Sequence, residues 1–393
     1  MKFLHFHIAC TIIESLKSIL LDGYHADKVI ERTFKNHKKW GARDRKIVAE
    51  SIYEIVRWKR LLSECTGNLD LWKIFGAYLI LNFDEIPDWK EFNGVNPNLI
   101  KEKYLKFQKI RKIRESIPDW LDELGEKELY GRWDSLISAL NKKAQVFLRA
   151  NTLKNTAQEL QATLFNEKIK TELINCDGLV LTERANVFQT NAFKSGLFEV
   201  QDAASQMVSP FLEPEPGMRI VDACAGSGGK ALHLASLMKN KGKIIALDIF
   251  EWKLDELKKR AKRAGIDIIE TRVIESNKVI KRLYGKADRL LLDVPCSGLG
   301  VLRRNPDTKW KLSIEELEET QKIQADILQN YSHILKPNAL MVYSTCSILP
   351  SENGLQIKTF LENNKTKWQI VSEKNLYPDT DGFDGFYMAR LKS

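Results

Sequence analysis

From residue 1 to about 80, apolar positions recur at threes and fours between charged residues, the period of one helix face. The pattern is plain in ADKVIERTFKN and in RDRKIVAESIYEIVRWKRLL, where Ile47, Ile52, Ile55, Val56 and Leu61 punctuate the charges. The opening MKFLHFHIACTIIESLKSILL is apolar but interrupted by Glu14 and Lys17, and no small-residue cleavage site follows it. It reads as an amphipathic first helix rather than a leader. FDEIPDWKEFNGVNPN (83–98) has the composition of a loop, and further helix is expected from there to Leu140.

At Val146 the period changes. VFLRANTL, the helical NTAQELQATLFNE, then KTELI and GLVLTE alternate strand with helix, which predicts a small α/β module over 143–205 after a helical domain over 1–142. Over 206–393 the strand candidates MRIVDA, KIIALDI, IDIIETRV, RLLLDV and ALMVYST are separated by helical stretches such as GKALHLASLMK and EWKLDELKKRAKRAG. Strand and helix in alternation predict a doubly wound, mostly parallel sheet, Rossmann-like, and so an α/β fold for the third domain. No stretch reaches the length of a membrane span, and no internal repeat is evident.

In such a sheet, ligands bind beyond the carboxyl ends of the strands. Each strand candidate ends in a polar group: Asp222 with Cys224, Asp248, Glu270 or Glu275, Asp293 with Cys296, and Ser344 with Cys346. After the first of these strands, VDACAGSGGK carries Gly226, Gly228 and Gly229, which let backbone approach a ligand closely. Asp248, at the next strand end, is placed to accept from a ribose hydroxyl. The combination fits a dinucleotide or S-adenosylmethionine. A phosphate-binding P-loop is excluded, because its first glycine would fall at position 224, which is Cys. A lone strand-end cysteine is more often a small buried hydrophobe than a reactant. Here two, Cys296 and Cys346, end neighbouring strand candidates, and should meet the glycine loop in one cleft.

Composition narrows the setting. Of 393 residues, 44% are apolar and 29% charged, the balance of a folded globular chain. The 61 Lys and Arg against 52 Asp and Glu leave +9, which makes a polyanionic partner plausible. Basic residues gather in the helical part: Lys35, Lys38, Lys39, Arg43, Arg45, Lys46, Arg57, Lys59 and Arg60. They form either a solvated helix face or an RNA-contacting one. Six cysteines (10, 65, 176, 224, 296, 346) lie far apart with no zinc-type spacing, so free thiols, a cytoplasmic protein and no metal are expected. The six histidines form no metal or triad pattern.

DVPCSGLGVLRRNPDTKW (293–310), YSTCSILPSEN (343–353), DACAGSGGK (222–230) and FEVQDAASQ (198–206) closely resemble the RsmB/Sun family of RNA cytosine-5 methyltransferases. LRANTLK (148–154) resembles the start of that family's small pre-catalytic domain, GARDRKIVAESIYEIVRWK its NusB-like helical domain, and DGFDGFYMARL its closing hairpin. The chain departs from the family at Gly226-Ser227, where Ala-Pro is usual. The resemblance implies a class I methyltransferase fold and a monomer that transfers methyl from S-adenosylmethionine to C5 of a cytidine in RNA, most simply small-subunit rRNA, without membrane or metal. Alternatives are a tRNA substrate, or a non-catalytic RNA-binding assembly factor.

Cytosine C5 is a poor nucleophile, so the chemistry requires a thiolate to add at C6 first. The resemblance implies Cys346 as that nucleophile and Cys296 as the group assisting release, since the residues alone do not assign the two roles. Asp293, assisted by Lys230, is a candidate to protonate or hydrogen-bond N3 as charge builds on the ring. For the methyl donor it implies contacts from Cys224, Ala225, Gly226, Ser227, Gly228, Gly229 and Lys230, from Asp248 and Asp293, and from a third-strand acid. Glu275 is favoured for that acid over Glu270, and Lys253 is a candidate for the donor's carboxylate. Arg303, Arg304 and Asn305 hold either RNA phosphate or their own loop.

Overall fold

A computed structural model of the chain describes residues 4–175, 177–364 and 367–393. Cys176 lies outside the described residues. The chain divides into two compact units, one running to Lys143 and including Leu302–Ile314, the other comprising Ala144–Val301 and Glu315–Ser393.

The first unit is helical. Phe6–Leu20, Ala26–Asn36, Ala42–Arg57, Lys59–Thr66 and Leu71–Phe83 follow in succession, with the periodic positions Ile12, Leu16, Ile52, Ile55 and Phe75 fully buried in one core. The stretch read as a loop is one except for a short turn, Lys90–Phe92, and Pro97 opens the next helix at its first position, where a missing N–H costs nothing. Leu302–Ile314 joins this unit from far along the chain. Trp310 packs on its core and donates to the Val56 carbonyl at 2.7 Å, and the buried Lys309 ammonium donates to the Asn141 side chain at 3.2 Å.

The second unit holds two sheets. The smaller comprises β1 (Phe147–Ala150), β2 (Thr171–Leu173), β3 (Gly178–Leu181) and β4 (Phe198–Val200), antiparallel in the order β2-β3-β1-β4. The helix Ala157–Asn166 packs with this sheet and begins with a full capping box between Thr156 and Glu159.

The larger sheet comprises β5 (Arg219–Asp222), β6 (Lys243–Asp248), β7 (Ile269–Val273), β8 (Ala287–Asp293), β9 (Leu335–Thr345), β10 (Gln369–Leu376) and β11 (Phe386–Lys392). Its order is β10-β11-β9-β8-β5-β6-β7, with β5, β6, β7, β8 and β9 parallel and β11 running antiparallel to both its neighbours, β9 and the edge strand β10. β5, β6, β8 and β9 are apolar on both sides because both faces are covered there. Ile220, Ile244, Leu291 and Val342 enter one core, while their neighbours Val221, Ile245, Leu290 and Met341 enter the other. The sequence order of β5, β6 and β8 puts the reversal of strand order at β5, between β6 and β8. A ligand crevice belongs there.

Candidate active site

β8 and β9 run side by side in parallel with Asp293 opposite Ser344. Parallel register therefore decides what meets at the carboxyl ends: Cys296 lies three residues past Asp293, Cys346 two past Ser344, and their sulfurs are 3.2 Å apart. Between strand and thiol Pro295 ends the ladder, and two residues past Cys296 Gly298, at φ 70°, turns the chain away. The two thiols are within hydrogen-bonding distance, and either sulfur can be the donor. Hydrogen bonding to Cys346, then burial, raises the Cys296 thiol well above its ordinary value, so Cys296 retains its proton beside Cys346.

Asp293 is bonded on both carboxylate oxygens. Lys230 reaches one at 2.6 Å and the Ser344 hydroxyl donates to the other at 2.9 Å. Lys230 is buried, on the first turn of the helix Gly229–Leu237, and its ammonium also stands 5.2 Å from the centre of the Phe386 ring. Deeper in the sheet, Asp222 is completely buried at the end of β5 and neither oxygen meets a donor in good geometry among the described residues. Burial, with Asp293 nearby, pushes its carboxyl up to about 7 against the opposing pull of Lys230. Burial likewise keeps Cys224 a neutral thiol.

The glycine loop connects β5 to that helix. The Gly226 N–H donates to one Asp248 oxygen at 2.9 Å and the Phe250 N–H to the other at 2.9 Å. Gly226 has φ 54° with open space beside it, and so uses a backbone region that an alanine, usual in the family at this place, enters at a cost. Gly228 is more constrained still: at φ 84°, a β-carbon would lie 2.4 Å from Leu257. The loop is braced from behind. Arg260 donates to the Ser227 carbonyl and Arg149 to the Gly229 carbonyl, each at 2.8 Å. Buried Glu199 in turn holds Arg260 at 2.9 Å and Arg263 at 2.6 Å. With the carbonyls turned back, the concave side keeps small residues, backbone and the Asp248 carboxylate, which fits the adenosine and methionine parts of S-adenosylmethionine.

Of the remaining expected residues, Lys253 has its ammonium 4.0 Å from Asp248. Glu275 is exposed, two residues past the carboxyl end of β7, whereas Glu270 sits within the strand, paired with Arg272 at 2.5 Å and Lys243 at 2.5 Å. Arg303 is a loop-holding residue: it is buried in the helical unit and donates to the Ala139 carbonyl at 2.8 Å. The basic cluster read from the first helices needs a correction of the same kind. Arg57 is 3% exposed and donates to the Leu302 and Arg303 carbonyls at 3.3 and 3.0 Å, so it belongs to neither a solvated nor an RNA-facing surface. Arg45 and Arg60 also spend donors on nearby backbone carbonyls.

Sequence reading missed the buried polar residues that surround the thiols, Ser297, Gln324, Ser347 and Glu352. A signal for two of them was present: each cysteine is followed by serine and, two residues later, by leucine, in CSGL and CSIL. Among the described residues no group of three or more His, Cys, Asp or Glu side chains could hold a metal ion, and no helix is long and apolar enough to cross a membrane.

Comparison with known proteins agrees with this geometry. Residues 209–392 match the family described as 16S rRNA methyltransferase RsmB/F, and residues 117–188 match the ferredoxin-like domain of RsmF/B-like methyltransferases. Ribosomal RNA small subunit methyltransferase B of Pasteurella multocida is 34% identical over 76% of this chain and 70% of its own. A probable enzyme of the same name from a Synechocystis strain is 29% identical over 96% and 97%. Among solved structures, the protein called PH0851 superposes over 100% of this chain and 99% of its own with a TM-score of 0.84 at 25% identity. A methyltransferase homologue from Pyrococcus horikoshii does so over 72% and 97%, with a TM-score of 0.64 at 26% identity. The chain therefore belongs to the RsmB/F (RsmB/Sun) family of methyltransferases, enzymes that use S-adenosylmethionine.

Proposed function

We propose that this protein methylates C5 of a cytidine in small-subunit rRNA through a covalent bond between Cys346 and C6. The observation that carries the reading is the pair of thiols 3.2 Å apart beside the Lys230–Asp293 ion pair. S-adenosylmethionine, when bound, supplies an electrophilic methyl group. The residues to hold it are Cys224 through Lys230, Asp248, Lys253, Glu275 and Asp293.

Apart from one proton lost to solvent, everything else falls to the side chains of this protein. The Cys346 sulfur adds to C6 as a thiolate, its proton passing to Asp293, which in that protonated form gives a proton or a hydrogen bond to N3, while the Lys230 charge offsets the negative charge that builds on the ring. C5, now enamine-like, takes the methyl. The C5 proton must then leave, after which the C6–S bond breaks and the ring regains its double bond. Solvent takes the C5 proton, and the Cys296 thiol, beside the adduct, assists release by giving its own proton to the departing Cys346 sulfur. The assignment of the two roles rests on the resemblance of YSTCS and DVPCS to the family's two cysteine blocks. An RNA base must leave its stack to reach such a cleft, so single-stranded or flipped cytidine is the substrate form. The names of the Pasteurella and Synechocystis relatives favour rRNA over tRNA.

The test incubates the enzyme, labelled donor and small-subunit rRNA or tRNA, and maps 5-methylcytidine by bisulfite sequencing. Cys346→Ala is expected to abolish methylation. Cys296→Ala is expected to accumulate a protein–RNA adduct that survives SDS. Full activity in Cys346→Ala would overturn the mechanism, and methyl groups on tRNA alone would overturn the substrate.

A further inference from the structure

Glu352 ends a short turn, Pro350–Glu352, six residues after Cys346, and is 0% exposed. One of its carboxylate oxygens accepts the Ser297 N–H at 2.8 Å and the Gln324 amide at 3.0 Å. The other accepts the hydroxyls of Ser297, at 2.5 Å, and of Ser347. Four donors fill both oxygens, and none of the four is a cation. A buried carboxylate with no ion pair is expensive to keep unless hydrogen bonds hold it. An apolar residue of similar size would fill the space without that cost, so packing alone does not explain an acid here.

What the carboxylate joins is informative. Ser297 and Ser347 directly follow the two cysteines. Each hydroxyl also accepts the backbone N–H two residues on, from Leu299 at 3.3 Å and from Leu349 at 3.2 Å. The two thiol loops are thus built alike and hang from the same side chain. Gln324 adds a bond to the Pro295 carbonyl at 2.9 Å, just before Cys296, and the Tyr343 hydroxyl fixes the Glu352 backbone at 2.7 Å.

We propose that Glu352 is the positioning residue that fixes the Cys296 and Cys346 loops against each other and so sets the separation of the two thiols. The proposal rests on the two-thiol reading of the site. That chemistry asks two sulfurs to act in turn on one ring, and a displacement of about 1 Å in such a site costs on the order of 100-fold in rate.

The test has two readouts. In steady-state methylation of rRNA, Glu352→Ala should lower kcat about 100-fold with KM for the donor unchanged. Glu352→Gln keeps one acceptor for the two N–H groups while the serine hydroxyls can reverse, and should recover part of the loss. The second readout needs no turnover: diamide takes the hydrogens of two adjacent thiols and leaves a disulfide, which peptide mapping assigns to Cys296–Cys346. Pairing should be at least about 10-fold slower in Glu352→Ala than in the native chain, because separated thiols meet less often. Donor affinity reports that the variant is folded. If it is not, Ser297→Ala combined with Ser347→Ala removes the hydroxyl donors and carries the same expectations. Native kcat together with native pairing rate in these variants would overturn the proposal. If the native protein methylates no cytidine, the functional reading falls instead, while slowed pairing would still support the role of Glu352.

Discussion

Asp222 shows how much a single buried side chain can cost. Its carboxyl is pushed up to about 7 because it is wholly buried near Asp293 with Lys230 as partial relief. The folded protein therefore holds this proton more tightly than the unfolded chain does. As pH rises from the ordinary carboxyl range through 7, the folded state must release it against resistance, so this group's contribution lowers stability progressively, with the full penalty above 7 and none at low pH. Asp222→Asn is isosteric and carries no such penalty. The melting temperature of the variant minus that of the native protein should therefore be small near about pH 4.5 and rise in favour of the variant by about pH 7.5. A difference that stayed flat across this range would mean that Asp222 is not the titrating group.

At the scale of elements, the Leu302–Ile314 segment is held to the helices in part by two backbone carbonyls that accept from a buried arginine. Arg57 supplies donors to both, at Leu302 and Arg303. Arg57→Ala leaves both buried without that donor, each costing about 1–3 kcal/mol, so the helical unit should lose about 2–6 kcal/mol. Arg57→Lys recovers little, because a single ammonium does not reproduce the planar fork. Urea unfolding followed by tryptophan fluorescence tests this, since Trp310 packs within the same unit. An unchanged midpoint would show that Arg57 contributes nothing net. The same segment marks a limit of reading elements from sequence. Strands β5, β6, β8 and β9 were legible because burial on both faces makes them continuous apolar runs. β10 was not, because QIVSEKNL is mostly exposed at the sheet edge and is a strand only by pairing with β11. Arg57 and Leu302 are 245 residues apart, and no local period records that they meet. The thiols were legible because each follows a strand end within three residues, whereas Glu352 gains its meaning only from two loops and a helix that folding brings together.

For the whole molecule, the excess of +9 charges is informative only once the charges used internally are set aside. Arg57, Arg45 and Arg60 serve backbone carbonyls, and Lys35 pairs with Glu31 at 2.8 Å. Lys38, Lys39 and Lys46 remain exposed near the junction of two helices, with no ion pair among the described residues. Nothing in the folding of the helical unit requires their charge, so they are the residues on which the solvated-face and RNA-facing readings divide. If they meet phosphate, replacing all three with Gln should weaken rRNA binding and reduce the dependence of log affinity on log salt by about one for each phosphate left unneutralised, because its counterion is no longer released. Donor affinity should not change, since the residues proposed to hold the donor all lie in the other unit. Titrating rRNA against the native and substituted proteins at several salt concentrations separates the readings. Parallel salt dependences of equal affinity would leave this face merely solvated, and would move the search for the RNA-binding surface elsewhere on the protein.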